Sequence, residues 1–123
     1  MFDPKLEQEI RLLHSRVCYA LADPTRIMIL YILAEGPKCV SELVEGLDLP
    51  QSTISRHLRV LRERGLANTE RKGTAVYYAL ADRRVIEALD RLRSVLAAQL
   101  DASAEFARSL HDTDPIPRAD NPG

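Results

Sequence analysis

Leu49-Pro50-Gln51-Ser52-Thr53-Ile54-Ser55-Arg56-His57-Leu58-Arg59-Val60-Leu61-Arg62-Glu63-Arg64-Gly65-Leu66 is the stretch whose reading decides the fold. Ile54, Leu58 and Leu61 recur at helical spacing, so a helix over Gln51–Arg64 has one apolar inner stripe, and Gly65 ends it. Polar residues of short or forked shape, Gln51, Ser52, Thr53, Ser55, Arg56 and Arg59, fall on the outer face. Upstream, Val40 to Leu47 predicts a short helix, and Gly46 to Pro50 the turn between the two. Two short helices joined by a tight glycine-containing turn form a helix-turn-helix.

Moving downstream, the period changes. Leu66 to Leu80 contains Thr69, Val76, Tyr77 and Tyr78, and reads as a β-hairpin with Arg71-Lys72-Gly73-Thr74 at its basic tip. Asp82 to about His111 then reads as one long helix. Its seam, Val85, Leu89, Leu92, Leu96, Gln99, Ser103, Ala107 and Leu110, alternates by three and four and suits packing on another helix. At ~1.5 Å per residue such a helix exceeds what so small a domain can bury, so a second copy of the chain is expected. Upstream, Leu6, Ile10, Leu13, Val17 and Leu21 form the stripe of a first helix. Asp23 caps a second, Pro24 occupies its first turn, and Gly36-Pro37 stops it. Cys39 precedes the third helix with Glu42 three positions on, a capping-box spacing with a thiol in place of the hydroxyl. The expected fold is therefore mainly α with a small β-hairpin wing, a dimeric winged helix-turn-helix of five helices. Residues 1–111 form the domain, and residues 112–123, rich in proline, form a disordered tail.

Composition narrows the function classes. The chain has 123 residues, 46% hydrophobic and 28% charged, with two cysteines, which is a globular composition and no disulfide framework. Ile27 to Ala34 is its longest uncharged apolar run, far too short for a bilayer, and charges follow Met1 at once. A cytoplasmic protein with no membrane partner is expected. The net charge is −1, yet Gln51–Lys72 holds six basic residues (Arg56, Arg59, Arg62, Arg64, Arg71, Lys72) against two acidic ones (Glu63, Glu70). A basic block in an otherwise acidic chain is an electrostatic footprint for phosphates, or else a solvated helix face. No glycine-rich phosphate loop, nucleophile elbow or paired carboxylate motif appears, so an enzyme is not expected.

Three segments carry a family resemblance. Ala20-Leu21-Ala22-Asp23-Pro24-Thr25-Arg26-Ile27-Met28-Ile29-Leu30 resembles the opening of the second core helix in ArsR/SmtB repressors. Leu49 to Leu66 is similar to their recognition helix, and Tyr77-Tyr78-Ala79-Leu80 to their second wing strand. The resemblance spans about Val17 to Ala81 and implies a transcriptional repressor that binds double-stranded operator DNA as a homodimer and is released by a small inducer. One departure is Pro50, where members of the family often carry Ser or Thr. It removes a side-chain cap and a phosphate contact.

In a helix-turn-helix the second helix enters the major groove. Gln reads adenine and Arg reads guanine through paired hydrogen bonds, which makes Gln51, Ser52, Thr53, Ser55, Arg56 and Arg59 the candidate DNA contacts, with His57 adjacent on a base or phosphate. Arg71 and Lys72 are placed on phosphates or in the minor groove. Arg62 and Arg64 read as solvated or peripheral.

For sensing, the resemblance offers two metal sites. A pair of cysteines one residue apart at the third helix is reduced here to Cys39-Val40-Ser41. A zinc set at the last helix retains Asp82, but its other three positions hold Arg84, Val95 and Ala98, so no metal site is expected. His14, His57 and His111 show no ligand spacing. Cys18 and Cys39 have two open readings. Each is a small buried hydrophobe, or the pair is an effector and redox site for arsenite, polysulfide, an oxidant or another thiophilic ligand. The alternative function is a winged-helix protein-interaction module without inducer sensing.

Overall fold

Asp-Pro pairs start two helices in the same way. Asp3 accepts the Lys5 N–H at 3.1 Å and Asp23 accepts the Thr25 N–H at 2.7 Å, while Pro4 and Pro24 fill first-turn positions that need no donor. The computed structural model describes residues 1–113. It contains α1 (Pro4–Leu13), which runs into a π-helical stretch (His14–Cys18), then α2 (Pro24–Leu33), α3 (Val40–Leu47) and α4 (Gln51–Glu63). The hairpin strands β1 (Ala67–Lys72) and β2 (Ala75–Leu80) and the long α5 (Arg84–Thr113) follow. Five helices and a two-stranded antiparallel wing agree with the expected fold class. The chain divides into two compact units, Met1–Ile86 and one beginning at Glu87.

The core of the first unit is built by α2, α3 and α4. Ile29, Leu30, Leu43, Ile54, Leu58 and Leu61 are all fully buried, each side chain stabilising the fold by ~1.5–3 kcal/mol through the water it sheds. Leu66 and Ala67 carry that core into β1. In the hairpin Ala67 pairs with Leu80 and Lys72 with Ala75. Gly73, at φ 64°, takes the first of two tip positions, where a II′ turn needs a left-handed residue. Arg71 and Lys72 therefore lie at the end of β1 rather than within the tip. Lys38 adds an isolated antiparallel bridge to β2: its N–H donates to Tyr78 O at 2.9 Å and the Tyr78 N–H donates to Lys38 O at 2.7 Å. The residue before the α3 cap is thus fastened to the wing.

Several details differ from the sequence expectations. The left-handed residue between α3 and α4 is Asp48 (φ 54°, ψ 47°), and Gly46 stays within α3. Aspartate tolerates this conformation better than most side chains, so the turn needs no glycine. The long helix begins at Arg84 because Asp82 accepts the Arg84 N–H at 2.8 Å. Arg84, through its guanidinium and its N–H, holds the Asp82 carboxyl down to about 2. That helix extends to Thr113, so Asp112 and Thr113 are helical, while the remainder of the expected tail lies outside the described residues. The expected stripe on α1 does form, and in the single chain Leu6, Ile10 and Leu13 are 43%, 44% and 52% exposed.

Candidate nucleic-acid interface

Helix α4 is the element that positions the site. Pro50 is its N-cap, with extended ψ of 149° and no side-chain cap, while its carbonyl accepts the Thr53 and Ile54 N–H groups, both at 3.1 Å. Gly65 (φ 83°) follows the Arg64 C-cap in the left-handed conformation that commonly ends a helix. Ile54, His57, Leu58 and Leu61 point inward at i, i+3, i+4 and i+7. That leaves Gln51, Ser52, Ser55, Arg56 and Arg59 exposed, with Thr53 half-buried. Among the described residues neither Arg56 nor Arg59 is held in an ion pair, so both charges remain for an incoming anion.

The wing extends this face. Ser55, Arg59, Arg62 and Glu63 of α4 and Tyr78 of β2 line an open cleft between α4 and the hairpin. Arg71 and Lys72 are both exposed, and the Lys72 ammonium lies 5.6 Å from the centre of the Tyr77 ring. The result is a surface of hydrogen-bonding side chains on a rigid helix, flanked by cations on a hairpin. Fixed donors and acceptors at that spacing suit base edges in a groove, and the flanking cations suit phosphates.

His57 corrects the expectation of an exposed contact. It is 7% exposed and faces the start of α2, because position 57 falls on the inner stripe. Arg26 Nη1 lies 3.2 Å from His57 Nδ1, and His57 Nε2 lies 4.0 Å from Asp23 Oδ1. Burial depresses the His57 pKa below its ordinary value; the Asp23 carboxylate opposes this, and Arg26 and Arg56 add to the depression. Burial also pushes the Asp23 carboxyl up, but the Thr25 N–H, His57 and Arg26 together bring it below its usual value.

Arg64 is the second correction. Read as solvated or peripheral, it instead donates to Ser15 O at 2.9 Å and lies 4.3 Å from the centre of the Tyr19 ring. Sequence reasoning missed the Arg26–His57 and Arg64–Ser15 contacts because they join residues 31 and 49 positions apart. A polar residue on an apolar stripe was the signal available for His57.

The two cysteines occupy different settings. Cys18 ends the π-helical stretch and is exposed; Cys39 is half-buried at the N-cap of α3; both are free thiols. The Cys39 N–H donates to Glu42 Oε1 at 3.0 Å, as the capping-box spacing implied. Its Sγ donates to the same oxygen at 3.3 Å and lies 3.1 Å from Ser41 Oγ. The backbone and thiol of Cys39 lower the Glu42 pKa. Among the described residues no group of three or more His, Cys, Asp or Glu is placed to hold a metal ion. No helix among them is long and apolar enough to cross a membrane.

Comparison with known proteins follows the same elements. The family model described as bacterial regulatory protein, arsR family, matches residues 23–69, from the α2 cap into β1. An HTH-type transcriptional regulator of Methanocaldococcus jannaschii is 44% identical over 59% of this chain and 83% of its own length. The HTH-type transcriptional repressor SmtB of Mycobacterium tuberculosis is 48% identical over 51% of this chain, and the match spans 47% of that protein. A homodimeric winged helix-turn-helix domain of Mb0332 from Mycobacterium bovis superposes with a TM-score of 0.68 at 27% identity, covering 79% of this chain and 89% of that one. The chain belongs to the ArsR/SmtB family of helix-turn-helix transcriptional regulators.

Proposed function

We propose that this chain is a cytoplasmic, homodimeric repressor that binds operator DNA through the outer face of α4 and through the wing cations Arg71 and Lys72. The observation that carries this is the sorting of α4 itself. Ile54, Leu58 and Leu61 are fully buried, while Gln51, Ser52, Ser55, Arg56 and Arg59 are exposed together on one face. A helix needs no such concentration of forked donors to stay folded, whereas a groove reader does. The repressor named SmtB and the homodimeric domain of Mb0332 support the same reading.

Dimerisation is supported by apolar surface that the single chain leaves open. Leu6, Ile10, Leu12 and Leu13 of α1 are exposed, and so are Leu92, Val95, Leu96, Leu100, Phe106 and Leu110 of α5. Helix α5 has 30 residues, about 45 Å at 1.5 Å each, most of it beyond what one small domain covers. Sedimentation at micromolar concentration, with and without a duplex, tests the pair: a dimer that binds one duplex is expected. A monomer that binds tightly contradicts it, and a dimer that binds no duplex leaves a protein-interaction module.

The inducer reading concerns Cys18 and Cys39. Both are free thiols, and Cys18 is open to solvent. We propose release by a thiol-reactive signal such as arsenite, polysulfide or an oxidant, acting on sulfurs that adjoin the first helix and the helix supporting α4. A gel-shift titration of Cys18→Ser and Cys39→Ser tests it. Both variants should bind DNA like the parent and resist release by arsenite or polysulfide; variants that release like the parent place the effector elsewhere.

A further inference from the structure

The C-terminal end of the first helical run leaves carbonyls without intrahelical partners, as every helix does. Arg26, from α2, donates to two carbonyls there: Nε to Ala20 O at 2.7 Å and Nη2 to Tyr19 O at 3.0 Å, the latter also accepting the Ala22 N–H at 3.2 Å. Its third nitrogen, Nη1, lies 3.2 Å from Nδ1 of His57 on α4. A guanidinium has no acceptor, so Nδ1 accepts and the ring proton resides on Nε2, on the side facing Asp23. One planar group therefore joins the end of the first helical run to the buried side of α4. Arg64 makes a second connection at the far end of α4. It donates to Ser15 O, a carbonyl within the π-helical stretch, and lies over the ring of Tyr19, whose carbonyl Arg26 holds.

We infer that Arg26 is a positioning residue for DNA binding, which through His57 ties the orientation of α4 to the first helix, with Arg64 as a parallel tether. The inference rests on the reading that α4 contacts DNA. Arg26 itself is half-buried and committed to three protein acceptors, so it acts through α4 and not on the duplex. Any movement of the segment Ser15–Ala20 is transmitted to α4 at two points, His57 near its middle and Arg64 at its C-cap. The charged groups facing His57 are Asp23 at the cap of α2, Arg26 of α2 and Arg56 of α4. Protonation of Nδ1 would remove the acceptor that Arg26 needs and set two cations against each other.

Fluorescence anisotropy of the full chain on a duplex enriched from a random pool tests this, with salt and pH varied. His57→Asn keeps an acceptor at the Nδ1 position, whereas His57→Leu keeps volume and lacks one; Arg26→Lys keeps charge and Arg26→Met removes it. His57→Asn should bind within about threefold of the parent, and the other three about tenfold or more weakly. The salt slope should stay unchanged in all four, because no phosphate contact is lost. As pH falls through the imidazole range the parent should weaken relative to His57→Asn. His57→Leu binding like the parent overturns the inference. So does a salt slope reduced by about two per dimer in Arg26→Met, which makes Arg26 a phosphate contact. If Arg26→Met or His57→Leu loses its melting transition, nitrogen NMR of the parent decides: an Nε2–H tautomer of His57 supports the tether and an Nδ1–H tautomer overturns it. Gln51→Ala and Arg56→Ala serve as the control, since parental affinity in both overturns the α4 reading and the inference with it.

Discussion

Replacing Arg56 with Ala is the sharpest perturbation of the proposed interface. Arg56 is exposed on α4, so its removal opens no cavity, and alanine is at least as good a helix former. Folding stability should therefore change by less than about 0.5 kcal/mol. A forked arginine contact to a base contributes ~1–3 kcal/mol, and a twofold complex makes it twice. The expected loss is about 2–6 kcal/mol per dimer, from roughly thirtyfold to on the order of ten-thousandfold in affinity. Anisotropy titrations on the enriched duplex and on a scrambled one, each at two salt concentrations, separate base from phosphate contact. A base contact loses affinity on the enriched duplex and leaves the scrambled one nearly unchanged. Equal losses on both, with the salt slope down by about two, would make Arg56 a phosphate contact only. A change below about threefold on the enriched duplex would refute the groove assignment.

Other expectations follow from the same geometry. Leu58→Ala removes a fully buried side chain from the α4 core and should cost ~2–5 kcal/mol in urea denaturation; a loss under about 1 kcal/mol would mean that the site collapses without a cavity. His57 is held neutral by burial with its pKa below 6.5, so the unfolded chain binds more protons between the folded value and 6.5. Stability should then rise with pH across that window and be lost as pH falls from 6.5 through it. His57→Asn should flatten the slope, and identical slopes in parent and variant would contradict the assignment. Lys72→Ala at the end of β1 should weaken enriched and scrambled duplexes alike and lower the salt slope by about one per subunit; an unchanged slope would remove the wing from the interface.

Much of this was legible in the sequence because it is periodic or local. Ile54, Leu58 and Leu61 mark the buried side of α4 by spacing alone, and Asp23-Pro24 announces the start of α2. Gly73 places the hairpin tip through the conformation it alone adopts easily. His57 was misread because residue type was weighed above position: 54, 57, 58 and 61 share one face, and a polar residue there requires a partner. That partner, Arg26, lies 31 positions upstream, beyond the reach of any local pattern. Arg64 was missed for the same reason, its acceptor Ser15 being 49 positions away. The π-helical stretch leaves no mark in an apolar stripe that continues from Leu13 to Val17 at ordinary spacing. Asp48 took the left-handed position in place of the more obvious Gly46 because α3 continues one residue past that glycine.

The central claim is that a twofold dimer reads DNA sequence through α4. Selection of binding sites from a pool of random duplexes by the full chain tests it most directly. The expected product is an imperfect palindrome, its half-sites centred about 10–10.5 base pairs apart, the spacing of one DNA turn. Recovery of no enriched sequence, or of a single half-site without a symmetric mate, would contradict it.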